Sequence, residues 1–138
     1  MAFDVPRFCA RFLAEDHSAL MGLRYLAHEP GCLELELPYS PALARADGDP
    51  AMADGAIMTL FDMAGTISVW SRIDAFRPHA TIDLRIDHLQ VPPPTSIRCA
   101  VECFHVDTEL ARVRGSACAD GQTVATFAAT YAFTGARG

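Results

Sequence analysis

The chain contains no lysine. Its eleven basic residues are all arginine, they are scattered, and seventeen acidic residues outnumber them to give a net charge of −6. That balance, with no basic cluster anywhere, argues against nucleic acid and against an anionic membrane surface as partners. A long apolar run near the start is also missing: MAFDVPRFCARFL carries an acidic residue early, at Asp4, so neither a signal peptide nor a transmembrane segment is expected, and the expected location is cytoplasmic. The five cysteines (Cys9, Cys32, Cys99, Cys103, Cys118) are odd in number and form neither zinc-type pairs nor a Cys-x-x-Cys, which leaves free thiols as the expectation. The five histidines lack ligand spacing, and no metal or cofactor is expected.

With 138 residues, 51% hydrophobic and 20% charged, one domain over 1–138 with a real core is expected. Its longest apolar run with helical periodicity is 53–73, ADGAIMTLFDMAGTISVWSRI. Alanine, methionine and leucine favour helix and no proline interrupts, so a central helix over 54–73, buried on nearly all sides, is predicted. One narrow stripe of it is polar: Gly55, Thr59, Asp62 and Thr66 fall within roughly 60° on a wheel of 100° per residue.

Two readings of Asp62 follow. It is either a structural carboxylate bonded to a neighbouring hydroxyl or strand, or a general base or nucleophile, since burial raises the pKa of an acid and perturbed acids cluster at sites. At the other end of the stripe Asp54 is suited to the N-cap and Gly55 leaves backbone N–H groups open to a ligand. First-turn N–H groups have no partner within the helix and carry its positive dipole end, so they suit a developing oxyanion.

Around that helix the pattern predicts an N-terminal helix within 5–20, a hairpin of 22–29 and 32–38, and a loop over 39–52 long enough to invite a role. Alternation then predicts strands over 81–89, 97–106, 110–119 and 123–133, the last two joined by Asp120-Gly121, with a tail over 134–138. The order is helix, two strands, long helix, four strands. A helix of about 20 residues is about 30 Å long, and six strands of ordinary length can form one antiparallel sheet curved around it, an α+β fold.

These residues resemble the hotdog-fold acyl-CoA thioesterases of the phenylacetate-pathway type. One piece of the likeness is Asp54-Gly55-Ala56-Ile57-Met58-Thr59-Leu60-Phe61-Asp62-Met63-Ala64-Gly65, set against a family pattern of His-Gly-Gly, four residues, Leu, any residue, Asp and a nearby Gly. A second is 80–89, ATIDLRIDHL, leading to Pro92, and a softer one is Asp120-Gly121 followed by Val124-Ala125. The resemblance implies a hotdog fold and hydrolysis of an acyl- or aroyl-CoA. It places the catalytic carboxylate at Asp62, the carbonyl-polarising N–H at Gly55 and a helping hydroxyl at Thr81. Two departures stand out: the family's His is Ala53 and its first glycine Asp54, and the Asn of the preceding loop falls on Asp47.

A thioester is electrophilic enough for one carboxylate and one oxyanion donor to suffice, which fits a chain without a nucleophile elbow. The alternative is a non-catalytic acyl-CoA-binding or sensing module. Hotdog dehydratases fit less well, because no His lies within 53–73. Residues expected around the substrate are Asp47, Ala53, Asp54, Thr59, Phe61, Thr66 and Arg85. Phe61, Trp70, Met58 and Met63 are pocket lining or plain core, and Arg85, Arg112 and Arg114 are phosphate partners or solvated cations. Because Gly55 and Asp62 lie about 10 Å apart along one helix, both cannot act on one carbon unless two copies meet. A homodimer is therefore expected, or a homotetramer as a dimer of dimers.

Overall fold

Why a short helix opens the chain is visible at Asp4, whose side chain accepts the Arg7 N–H at 3.0 Å while Pro6 occupies the first turn. The computed structural model describes residues 3–15 and 21–134. Helix α1 runs Val5–Phe12, shorter than the 5–20 reading. Val5, Cys9 and Leu13 form its buried stripe. Residues 16–20 of the expected helix lie outside the described residues, as do 135–138 of the expected tail.

Six strands follow: β1 Arg24–Glu29, β2 Cys32–Leu37, β3 His79–His88, β4 Ile97–Val106, β5 Leu110–Ala119 and β6 Gln122–Phe133. They form one antiparallel sheet in the order β1-β2-β4-β5-β6-β3. Period-two alternation orients it: Leu33, Leu35 and Leu37 of β2 and Ile97, Cys99, Val101 and Cys103 of β4 are buried, with Glu34, Glu36, Arg98 and Glu102 on the opposite face. Two-residue turns set the register. Pro30-Gly31 joins β1 to β2 with Gly31 at φ +80°, and Asp120-Gly121 joins β5 to β6 with both residues at positive φ (51° and 76°). Burial pushes the Cys99 thiol up to about 12, as it does that of Cys9.

Helix α2, Asp54–Ile73, packs across β4, β2 and β5. Ile57, Leu60, Phe61, Ala64, Ile67 and Val69 are fully buried. Ala53, not Asp54, is the N-cap residue, and no side chain caps the helix. Asp54 is instead the first helical residue, where its charge still favours the dipole. At the far end Asp74 adopts the left-handed conformation and its carboxylate accepts the Phe3 N–H at 2.7 Å. Leu60→Ala, which empties the centre of this packing, should cost about 2–5 kcal/mol in denaturant unfolding.

Strand β3 departs from simple alternation. Thr81 pairs with Tyr131 and Asp83 with Thr130, so Ile82 is an extra, bulged residue and is 58% exposed. Beyond that bulge Leu84 and Ile86 return to the helix side, opposite Ala129 and Phe127.

Candidate active site

The helix stripe predicted from the sequence is the part of α2 that the sheet leaves accessible: Gly55 is exposed and Thr59, Asp62 and Thr66 are half-buried. Asp62 is thus at the margin of the core, not deep within it. Its neighbour is Tyr131 of β6, wholly buried, whose phenol donates to Asp62 Oδ1 at 3.4 Å. The phenol passes over Gly65, where an added Cβ would collide with Tyr131 Oη and lie 3.2 Å from the Phe127 ring. Thr66, one turn beyond Asp62, pairs with His79 Nε2 at 3.2 Å, and the His79 ring lies 4.7 Å from that of Tyr131. Two polar pairs, Tyr131 with Asp62 and His79 with Thr66, therefore lie side by side between α2, β6 and β3. Thr59 does not join them, because its hydroxyl is spent on the Gly55 carbonyl at 3.0 Å.

Burial raises the Tyr131 pKa, with the Asp62 charge acting the same way, so the phenol keeps its proton. Burial lowers that of His79, offset in part by the Asp62 charge and the Arg77 carbonyl. His79 sits among Trp70, Tyr131 and Phe133, with ring centroids 5.4, 4.7 and 6.3 Å away. Its folded pKa lies below the roughly 6.5 of a free imidazole, so as pH falls through about 6.5 the unfolded chain takes up the proton first. The associated stability is complete above that value and is lost as pH falls toward the folded pKa. Between about pH 7.5 and 5.5 the thermal midpoint of the native chain should therefore fall further than that of His79→Gln, as differential scanning would measure.

At the helix N-terminus the N–H groups of Ala56 and Ile57 bond the Ala53 carbonyl at 3.0 and 3.4 Å. Those of Asp54 and Gly55 have no partner among the described residues. A Cβ built on Gly55 would meet nothing within 4 Å. Gly55, Ala53 and Thr59 line an open groove of about 250 Å³ with Met21, Leu43 and Ala44. The geometry thus offers a carboxylate and a free N–H on the same helix face, seven residues or about 10 Å apart.

Solved structures with this architecture decide the fold. A Pseudomonas aeruginosa protein is 30% identical, with a TM-score of 0.79 over 94% of this chain and 98% of that one. A thioesterase-family protein from Silicibacter pomeroyi is 24% identical, with a TM-score of 0.80 over 94% of each chain. The chain has the hotdog fold. The E. coli PaaI protein of the phenylacetic acid degradation operon shares it at 13% identity, with a TM-score of 0.81 over 95% of this chain and 94% of that one. No family model and no curated protein matches the sequence.

Within this hotdog domain the other expected residues separate into two groups. Thr81, exposed, pairs with Tyr131 across the β3–β6 ladder, the strand position whose phenol reaches Asp62. Phe61, adjacent to Asp62 in sequence, faces the other way and stacks on Phe127 at 4.8 Å, which makes it core. Asp54 faces His88 of β3, 3.9 Å from its Nδ1. The structure does not bring Asp47 or Arg85 to the carboxylate. Asp47 accepts the Asp49 N–H at 3.1 Å and pairs with Arg45, so its side chain folds its own loop, and those bonds hold its carboxyl below the usual range. Arg85 lies opposite Ala128 on the outer face and pairs with Asp87 at 3.2 Å. Arg114 on β5 likewise pairs with Glu102 at 3.1 Å.

His79 and Tyr131 escaped the sequence reading. A signal for Tyr131 existed: it shares the inward phase of β6 with Phe127 and Ala129, and an inward phenol needs a partner for its O–H. Asp62 was the inward-facing carboxylate available.

Proposed function

We propose that the protein is an acyl-CoA thioesterase that converts an acyl- or aroyl-CoA to the free acid and CoA, of the phenylacetate-pathway type that its sequence resembles. The observation that carries this reading is the half-buried Asp62 on the accessible stripe of a mostly buried helix, held at one oxygen by Tyr131. The other oxygen is then available to attack the thioester carbonyl, or to take a proton from a water that does. In the water route the new C–O bond forms as the C=O electrons move onto oxygen, where a Gly55 N–H at a helix N-terminus meets the charge. Collapse breaks the C–S bond, the sulfur leaves with its electron pair, and the proton held by Asp62 neutralises it. Thr81 is the nearby hydroxyl suited to placing Asp62 or the water. Ala53, Asp54, Thr59 and Thr66 would border the substrate, and Asp47 and Arg85 would meet only its distal CoA portion.

The active unit in this proposal is a homodimer, or a dimer of dimers, with Gly55 of one copy facing Asp62 of the other. Support comes from the free edge of β3 and from Met58, Ile82, Leu89 and Val91, which are 48–58% exposed. A free strand edge with apolar neighbours is a surface that proteins ordinarily cover.

A panel of acyl- and aroyl-CoAs with a thiol-trapping dye tests the activity, and thiol release on at least one of them is expected. The second reading, a non-catalytic acyl-CoA-binding module, draws on Ala53, which brings no polar side chain to the helix start. Tight binding by calorimetry with no thiol release would favour it.

A further inference from the structure

Half of the chain's eight phenylalanines gather at one end of the molecule. Phe3, Phe8 and Phe12 come from the start of the chain and Phe76 from the link after α2, and together they line a groove of about 620 Å³. That is the size of pockets that take small molecules. The groove lies past the C-terminal end of α2, and Ile73, where that helix stops, is about 16 Å beyond Asp62 along the axis. It is separate from the site already described. Its rings are set at angles: Phe3 against Phe8 at 45°, Trp70 against Phe76 at 36°, and Phe8 nearly edge-on to Trp70 at 75°. Phe8 and Phe12, one turn apart on α1, stack at 4.8 Å. A cluster of this kind takes one more ring by the same offset and edge-to-face contacts. Its outer members are still open, with Phe12 38% and Phe76 63% exposed.

Charge narrows what that ring carries. Arg7 and Arg11, also one turn apart on α1, line the same groove. Neither guanidinium has a partner among the described residues, whereas the other described arginines each pair with a carboxylate, donate to a carbonyl or lie over a phenylalanine ring. Two carboxylates also border the groove. Asp4 is committed to the Arg7 backbone N–H, which leaves Glu15, four positions after Arg11. We propose that this groove binds a small aromatic carboxylate, its ring completing the cluster of Phe8, Phe12 and Phe76 and its acid group held by Arg7 and Arg11. A guanidinium offers a carboxylate two parallel N–H donors, and two uncommitted ones stand here in a chain of net charge −6. A second copy of the chain suits the groove less well. Two α1 helices crossed antiparallel about a two-fold axis would set arginine against arginine. The proposal holds whether or not Asp62 hydrolyses a thioester.

The test is a calorimetric titration of the full chain with 2-naphthoate, paralleled by 15N NMR of the Trp70 indole. Trp70 is the only tryptophan, and its ring centre lies 4.5 Å from that of Phe76 and 5.3 Å from that of Phe8. Saturable binding that moves the single indole cross-peak is expected. Arg7→Gln/Arg11→Gln should weaken binding at least about tenfold, as loss of a hydrogen bond to a charged group does, and Phe76→Ser about fivefold, as loss of an aromatic pair does. Each of these side chains is exposed, so the variants keep the fold. Asp62→Asn should bind 2-naphthoate as the native chain does. Equal affinity for the neutral 2-naphthalenemethanol would overturn the role of the arginines, and tighter binding of decanoate would overturn the aromatic ligand. Binding lost in Asp62→Asn but kept in Arg7→Gln/Arg11→Gln would put the ligand at the candidate active site and overturn the groove. Absence of saturable binding would overturn the proposal outright, as would a dimer that sedimentation shows to dissociate in Phe76→Ser, since a second copy would then cover the groove.

Discussion

Asp62→Asn should lower the turnover of any acyl-CoA the native chain hydrolyses by about 10²–10⁴-fold, the range for loss of a positioned base, while the fold stays intact. An amide keeps an oxygen that can accept from Tyr131, so the one hydrogen bond seen at Asp62 survives the substitution. What disappears is the charge. A carboxylate held half-buried beside Phe61, Met63 and Ala64 gives up hydration, and replacing it with a neutral group should leave the thermal midpoint unchanged or raised. Turnover and thermal midpoint are measured on the same preparations. Full turnover in the variant would remove Asp62 from the chemistry. Unfolding of Asp62→Asn under conditions where Leu60→Ala stays folded would make its role structural.

Gly55→Pro should be about as damaging to activity as loss of one oxyanion donor, about 10²–10³-fold in kcat. Proline is tolerated in a first helical turn, so the variant removes the N–H and little else. The open space around Gly55 leaves room for the ring. The shared-site proposal adds a sharper expectation. A first-turn N–H points along the helix axis away from Asp62, whereas two antiparallel helices across a two-fold axis can bring one N–H and one carboxylate to the same carbon. Mixing Gly55→Pro with Asp62→Asn subunits, each inactive alone, should restore one working site per heterodimer. A verified heterodimer that stays inactive would rule out sharing.

Much of the fold was legible because local rules suffice for it. Leu33, Leu35 and Leu37 alternate with glutamates, so β2 could face only one way, and Asp120-Gly121 both take the positive φ that a tight hairpin needs. The all-round apolar run of α2 marked the central helix, and its polar stripe of Gly55, Thr59, Asp62 and Thr66 is the accessible stripe of the folded chain. Illegible features depend on contacts between distant residues. The Tyr131–Asp62 bond spans 69 positions, and no periodicity along one strand announces its partner. The bulge at Ile82 is a property of pairing with β6, because the sequence of β3 alternates regularly. The helix bounds of 54–73 are those expected, but the cap falls on Ala53 although Asp54 satisfies the local preference for an N-cap, with the Ala53 N–H drawn to the Leu43 carbonyl at 2.9 Å.

The most direct measurement is a crystal structure with a non-hydrolysable CoA thioester analogue bound. The account predicts the carbonyl carbon within roughly 3–3.5 Å of an Asp62 oxygen, or of one water held by it, and the carbonyl oxygen on the Gly55 N–H of a second copy. An analogue seated with its carbonyl away from Asp62, or with both groups supplied by one helix, would contradict it.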